Sequence, residues 1–393
     1  MIISRLKLQN WKNFQNVEIE LGSRVFVVGP NASGKSNFLD VIRFLRDIVK
    51  QGGGFQYAVA ERDGVSKIRC LSARNKTDVS IEVYLSEKAE TEPDWIYKLS
   101  FKHFGGGIFK NQAAISEEKV WSKKEDKWIL SRTSKSGKED DETKKYTYLE
   151  HPTSNAKFRE IYHFFRDIQY LHVVPQLVRD ADSYFLSAGK EDYYGRNLLE
   201  RMAATAMNTR NAFLNKINKV LSFAVPQFDK LDFVPGKDDK KGVPHLQLFH
   251  KNWRARGVRQ YESQLSDGTL RLIGFMWALL DGKETILLEE PELHLHTEIV
   301  KHLPEFISNI QRRKSGIRQV ILTTHSFDLL SSEGIGADEV ILLDSTLEGT
   351  KIIRTNQLDD IKKYLKAGFS MAEAVIPRTK PKEIEKITQL ELV

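Results

Sequence analysis

The first eleven residues, Met1 to Trp11 (MIISRLKLQNW), alternate apolar and polar side chains, a pattern that predicts a half-buried strand. Val25-Phe26-Val27-Val28 has no polar position and predicts a fully buried strand. From Asn37 to Leu45 the apolar residues recur at helical spacing. Residues 66–104 alternate again, most clearly from Asp78 to Leu85, and predict antiparallel strands. Residues 105–157 form a polar, β-rich excursion that Gly105-Gly106-Gly107 opens and Trp121 and Trp128 interrupt, with an exposed loop at Ser136–Asp141. Residues 192–224 predict helix, with Phe213, Ile217, Val220 and Leu221 on one apolar stripe. Pro226, Gly236 and Gly242 break that pattern, and a strand resumes at Leu246–Phe249. An apolar helix from Leu272 to Leu280 precedes three short strands, Thr285–Leu288, Gln319–Thr324 and Glu339–Leu343, and a basic helix around Lys362–Leu365.

The loop between the first buried strand and the first helix carries the sharpest chemistry. Gly29-Pro30-Asn31-Ala32-Ser33-Gly34-Lys35-Ser36, followed by Asn37, is a phosphate-binding loop in its proper context of strand, loop and helix. Gly29 and Gly34 let backbone N–H groups turn inward, Lys35 brings charge to the outer phosphates, and the Ser36 hydroxyl can bind Mg²⁺. The helix N-terminus adds partial positive charge. The implied ligand is a nucleotide.

Two later segments fit the same chemistry. Leu265-Ser266-Asp267-Gly268-Thr269 stands before the apolar helix and offers a hydroxyl and backbone N–H groups to an anion, or simply caps the helix. The strand Thr285–Leu288 ends in Glu289-Glu290, two carboxylates that are costly there unless they meet a cation or a proton donor. Glu289 suits the shell of a Mg²⁺ ion, and Glu290 suits a water molecule that attacks a γ-phosphate. His325, at the end of Gln319–Thr324, is placed to contact that phosphate. His294 and His296 form an H-x-H pair, but no Cys or third His follows at convincing spacing for zinc.

Composition adds bounds. The chain has 393 residues, 60 Lys plus Arg against 53 Asp plus Glu, and a net charge of +7 spread along its length. That balance permits nucleic-acid contact without requiring it. Lys251, Arg254, Arg256 and Arg259 around Trp253 could grip a nucleic-acid backbone or form a solvated strand with one packed ring. The single cysteine, Cys70, excludes an internal disulfide and fits a cytoplasmic setting, and the apolar run RLIGFMWALL at 271–280 is too short to span a bilayer.

In their order these motifs resemble the ATP-binding-cassette (ABC) superfamily, in its SMC/RecF/OLD branch, as does the opening Leu6-x-Leu8-x-Asn10-Trp11-Lys12-Asn13-Phe14. Glu289-Glu290-Pro291-Glu292 with His296 is most similar to OLD-type ATPases, although too few residues follow His325 for the Toprim nuclease of OLD proteins. The resemblance implies an α/β P-loop NTPase head with an antiparallel β subdomain, a β-rich insertion and a helical lid. It implies ATP and Mg²⁺ as cofactors, with Glu290, His325 and Lys35 catalytic. Gly29 to Asn37, Ser266, Gly268 and Gln176 would contact nucleotide, and Ser36, Glu289 and Gln176 the metal. Gln176 and Gln169 both fit the glutamine that the family places between loop and signature. Ser266 and Gly268 would act across a dimer of heads, with Leu293 to His296 at the interface. Lys12 stands where the family commonly has arginine.

The expected organisation is 1–104, the first part of the head; 105–160, the insertion; 161–182, the glutamine segment; 183–257, the lid; and 258–393, the rest of the head. The expected role is an OLD-like ATPase that controls a separate effector protein in a prokaryotic antiviral or toxin-type system. A RecF-like DNA-repair ATPase and an ATP-stabilised scaffold with little turnover are the alternatives. No membrane partner is expected.

Overall fold

A computed structural model describes residues 1–73, 78–104, 112–133, 140–179, 194–236, 242–251, 258–282, 285–313 and 318–380. Gly105–Gly107, most of the 136–141 loop, and Trp253, Arg254 and Arg256 lie outside the described residues. The chain divides into two units, residues 1–169, 283–287 and 311–393, and residues 170–282 and 288–310. No helix among the described residues is long and apolar enough to cross a membrane.

The first unit holds an antiparallel sheet in the order Phe14–Glu20, Ile2–Trp11, Val79–Ser86, Trp95–His103, Ala113–Ser122, Lys127–Thr133. The described part of the polar 105–157 stretch thus supplies the last two strands. A second sheet is built on Arg24–Val28, which pairs in parallel with Val320–Thr324 on one side and Val340–Thr346 on the other. Gly349–Arg354 pairs antiparallel with Val340–Thr346 and forms the edge. Beyond Val320–Thr324, the Ile286 N–H donates to the Gln319 carbonyl at 2.9 Å and the Gln169 N–H to the Thr285 carbonyl at 3.0 Å.

The helix Lys35–Val49 starts two residues before the predicted Asn37, because Gly34 at φ 96° turns the loop straight into the first turn. Its buried face meets an aromatic cluster. Phe44 lies 5.2 Å from Trp11, 5.4 Å from Phe101 and 6.4 Å from Phe55, centroid to centroid. Each such pair contributes about 0.5–1.5 kcal/mol beyond burial. The Trp11 indole N–H also donates to the Asn37 carbonyl at 3.1 Å, which ties the first strand to the helix start.

Glu118, fully buried, and Glu150, half-buried, are two acids of this unit held by hydrogen bonds. Glu118 accepts from the Tyr97 hydroxyl at 3.0 Å, the Tyr148 N–H at 2.8 Å and Arg132 Nη1 at 3.3 Å. Glu150 accepts from the N–H groups of Phe55 at 2.6 Å and Thr147 at 2.7 Å. Burial, only partly opposed by those two bonds, pushes the Glu150 pKa up to about 7 from 4.5. The folded protein therefore keeps this proton to higher pH than the unfolded chain. The resulting stability, about 3 kcal/mol, is fully present below pH 4.5 and is lost as pH rises through about 7. Urea unfolding between about pH 5 and pH 8 should show this decline in the wild type and a flatter profile in Glu150→Gln. Parallel profiles would contradict it.

The second unit contains the helices Leu198–Ala204 and Met207–Ala224, and a three-stranded sheet in the order Val258–Tyr261, His245–His250, Phe228–Val234. The predicted stripe on the longer helix needs correction. Leu214, Ile217 and Leu221 are the buried residues, whereas Phe213 and Val220 are half-buried. Phe213 instead lies edge-on to the buried Trp277 at 5.3 Å. The helix Asp267–Leu280 is buried on every side from Leu270 onward, which explains its lack of a polar face. It begins five residues before the predicted Leu272, because Ser266 caps it with its hydroxyl on the Thr269 N–H.

Candidate functional site

In the first unit the phosphate-binding loop leaves the carboxyl end of Arg24–Val28. In register, Thr324 pairs with Val28, so the exposed His325 follows on the same sheet edge as Gly29. Open α/β sheets bind ligands at this edge. Gly29 is demanded by packing: a Cβ there would sit 2.6 Å from Ser33 Oγ and 2.9 Å from the Leu343 carbonyl oxygen. Gly34 is demanded by its φ of 96° and by the Asn13 side chain in the space a Cβ would fill. Ala32, at φ 62°, is the second left-handed residue of the loop.

Lys35 is buried, and its Nζ donates to the carbonyls of Gly29 at 3.0 Å and Pro30 at 3.2 Å, so the ammonium is folded into the loop. The helix behind it has no acidic residue in its first turn, where an acid would compete with phosphate. Ser36, in that first turn, is exposed, as are Asn31 and Ala32 in the loop. These residues fit the phosphates of a nucleoside triphosphate. Asn37, expected at the nucleotide, directs its amide to Asn13 Oδ1 at 2.7 Å. Lys12 pairs with Asp40 at 2.7 Å. Burial alone would raise the Asp40 pKa; Arg62 and Lys12 outweigh it and hold the carboxyl below its usual value.

The second unit carries the acidic and signature residues. Glu289 ends the strand Ile286–Glu289, and its carboxylate accepts from the Tyr170 hydroxyl. The His172 Nδ1–H donates to the Glu289 carbonyl at 3.2 Å. Glu290 turns the chain at φ 42°, and its carbonyl accepts from Arg271 Nη1 at 3.1 Å. Burial lowers the Arg271 pKa, opposed by the charges of Glu292, Glu290 and Asp267.

The short helix Pro175–Arg179 reaches the signature. Gln176 Nε2 donates to Asp267 at 3.2 Å, and Arg179 pairs with Asp267 at 2.5 Å and donates to the Leu265 carbonyl at 2.7 Å. Gln176 is exposed beside the signature. Gln169, in the first unit, accepts from Arg318 Nη2 at 2.9 Å. Gly268 has the backbone of His294 against it, and a Cβ would stand 2.6 Å from the His294 carbonyl oxygen. Ser266, Gly268, His294 and His296 line one cleft of about 240 Å³. Among the described residues no group of three His, Cys, Asp or Glu could hold a metal ion.

Several residues here escaped sequence reasoning. Asn13 stands inside the opening motif without a part of its own, Arg179 lies three residues beyond Gln176, and Arg271 lies two residues beyond the signature. Tyr170, next to Gln169, carries no motif of its own.

The family described as "AAA domain, putative AbiEii toxin, Type IV TA system" matches residues 24–332. Two solved structures are similar in fold. One is the SmcHead bound to the C-winged helix domain of ScpA, 14% identical with a TM-score of 0.57, covering 90% of this chain and 98% of that one. The other is the Smc head domain with an extended coiled coil bound to the C-terminal domain of ScpA, derived from Pyrococcus furiosus. It is 13% identical with a TM-score of 0.52, covering 93% of this chain and 99% of that one. At such identities the likeness is one of fold, that of an ABC-type P-loop ATPase head. No curated protein matches the sequence.

Proposed function

Because the chain belongs to this AAA-domain family, which spans more than half of it, we propose that it binds ATP with Mg²⁺, hydrolyses it, and uses the cycle to control a separate effector protein. The observation that carries the reading is the phosphate loop, with left-handed Gly34 and with Lys35 folded onto the Gly29 and Pro30 carbonyls at a helix start free of acids. Lys35 exchanges those carbonyls for the outer phosphates. Ser36 and Glu289, with Gln176, would hold the metal, which would supply positive charge against the phosphates. Glu290 takes a proton from the attacking water, and His325 responds to the γ-phosphate. Ser266 and Gly268 of one copy serve the nucleotide held by Lys35 of another, so the active form is a dimer.

What supports this role is the description of the matched family, which names a putative toxin and a type IV toxin–antitoxin system. The test is recovery of tagged Glu290→Gln protein from its own cells with ATP and Mg²⁺, with mass, bound protein and bound nucleic acid measured. An ATP-dependent dimer carrying a stoichiometric protein and little DNA is expected. Abundant DNA without such a protein would replace this role with the DNA-repair one, and a monomer with ATP bound would remove the dimer.

A further inference from the structure

We infer that Asn13 and Thr350 are positioning residues for the phosphate-binding loop, holding the peptide between Ser33 and Gly34 in the orientation that presents the Gly34 N–H to phosphate. The inference rests on the ATP reading of that loop. Asn13 sits in the turn between Ile2–Trp11 and Phe14–Glu20, and Thr350 in the strand Gly349–Arg354 at the far end of the sequence.

Both side chains converge on one carbonyl. Asn13 Nδ2 donates to the Ser33 carbonyl at 2.8 Å, and the Thr350 hydroxyl donates to the same oxygen at 2.9 Å. Asn13 Nδ2 also donates to Thr350 Oγ1 at 2.7 Å, while Asn13 Oδ1 accepts from Asn37 Nδ2 at 2.7 Å. Both ends of the Asn13 amide are therefore engaged. The backbones lock together as well. The Thr350 N–H donates to the Asn13 carbonyl at 2.7 Å, and Gly349, at φ 134°, leaves only 2.6 Å between a Cβ and that oxygen.

A peptide unit is planar and trans, so its C=O and N–H point in opposite directions. Fixing the Ser33 carbonyl toward Asn13 and Thr350 therefore aims the Gly34 N–H at the other side of the loop. A flipped peptide would turn a carbonyl toward the anion instead. Resisting that flip before ligand arrives is preorganisation, which raises affinity by lowering the ordering cost.

A merely structural bond would change stability and leave affinity alone, which separates the two explanations. Thr350→Val removes the hydroxyl at nearly constant shape, and Thr350→Ser keeps it. With a fluorescent ATP analogue titrated well below the melting temperature, Thr350→Val and Asn13→Ala should each raise Kd about ten-fold, and Thr350→Ser less than about two-fold. The double variant should lose less than the product of the two, because both act on one carbonyl. Wild-type affinity in both Thr350→Val and Asn13→Ala, with only a lower melting temperature, would overturn the inference alone. A wild-type protein that binds no ATP would instead overturn the reading of the loop and the inference with it.

Discussion

Glu290→Gln is expected to slow ATP turnover by about 100- to 10,000-fold while ATP still binds. The expectation comes from how the residue is held. Glu290 is a non-glycine residue at φ 42°, a conformation that costs energy and persists only when its surroundings fix it. Arg271 grips its carbonyl at 3.1 Å, and the Leu293 N–H donates to the same oxygen at 3.3 Å. The backbone direction is thus set independently of the carboxylate, and glutamine should keep the shape while losing the base. Phosphate release in steady state, beside equilibrium ATP binding, measures both halves. Turnover within about three-fold of wild type would remove Glu290 from the chemistry.

Lys35→Ala is expected to weaken ATP binding by about 10- to 150-fold, the worth of one or more charge-assisted hydrogen bonds. Lys35 is buried and bonded to two loop carbonyls, so its loss removes both the ligand's counter-charge and the donor that satisfies those carbonyls. Lys35→Arg should fare little better, because a planar fork does not fit where a compact ammonium is enclosed by Gly29 and Pro30. Calorimetric titration with ATP and Mg²⁺ reads the loss directly. Unchanged affinity in Lys35→Ala would mean that the nucleotide, if bound, sits elsewhere.

The parts legible in the sequence are those whose signal is local. A run such as Val25 to Val28 declares a buried strand, and the glycines of 29–36 declare a loop, because strand, turn and helix preferences act over a few residues. Ser266 is recognisable as a possible cap, but the apolar run that marks the helix starts at Leu272, beyond its polar first turn. The choice between Leu214 and Phe213 for the buried stripe was not legible, because both fit a helical period with Ile217 and Leu221. Trp277, distant in sequence, settles it by holding Phe213 at the margin. The Asn13–Thr350 brace joins residues from opposite ends of the chain, and no window of sequence contains both. Gln176 and Gln169 looked alike in sequence and differ in their partners, Asp267 for one and Arg318 for the other.

Phosphate release from ATP by the purified full-length chain with Mg²⁺, beside Lys35→Ala and Glu290→Gln, tests the central claim most directly. The account predicts measurable turnover in the wild type, turnover at least about 100-fold slower in Glu290→Gln with ATP binding kept, and ATP binding at least about ten-fold weaker in Lys35→Ala. Turnover in Glu290→Gln equal to wild type, or a wild-type protein that neither binds nor cleaves ATP, would contradict it.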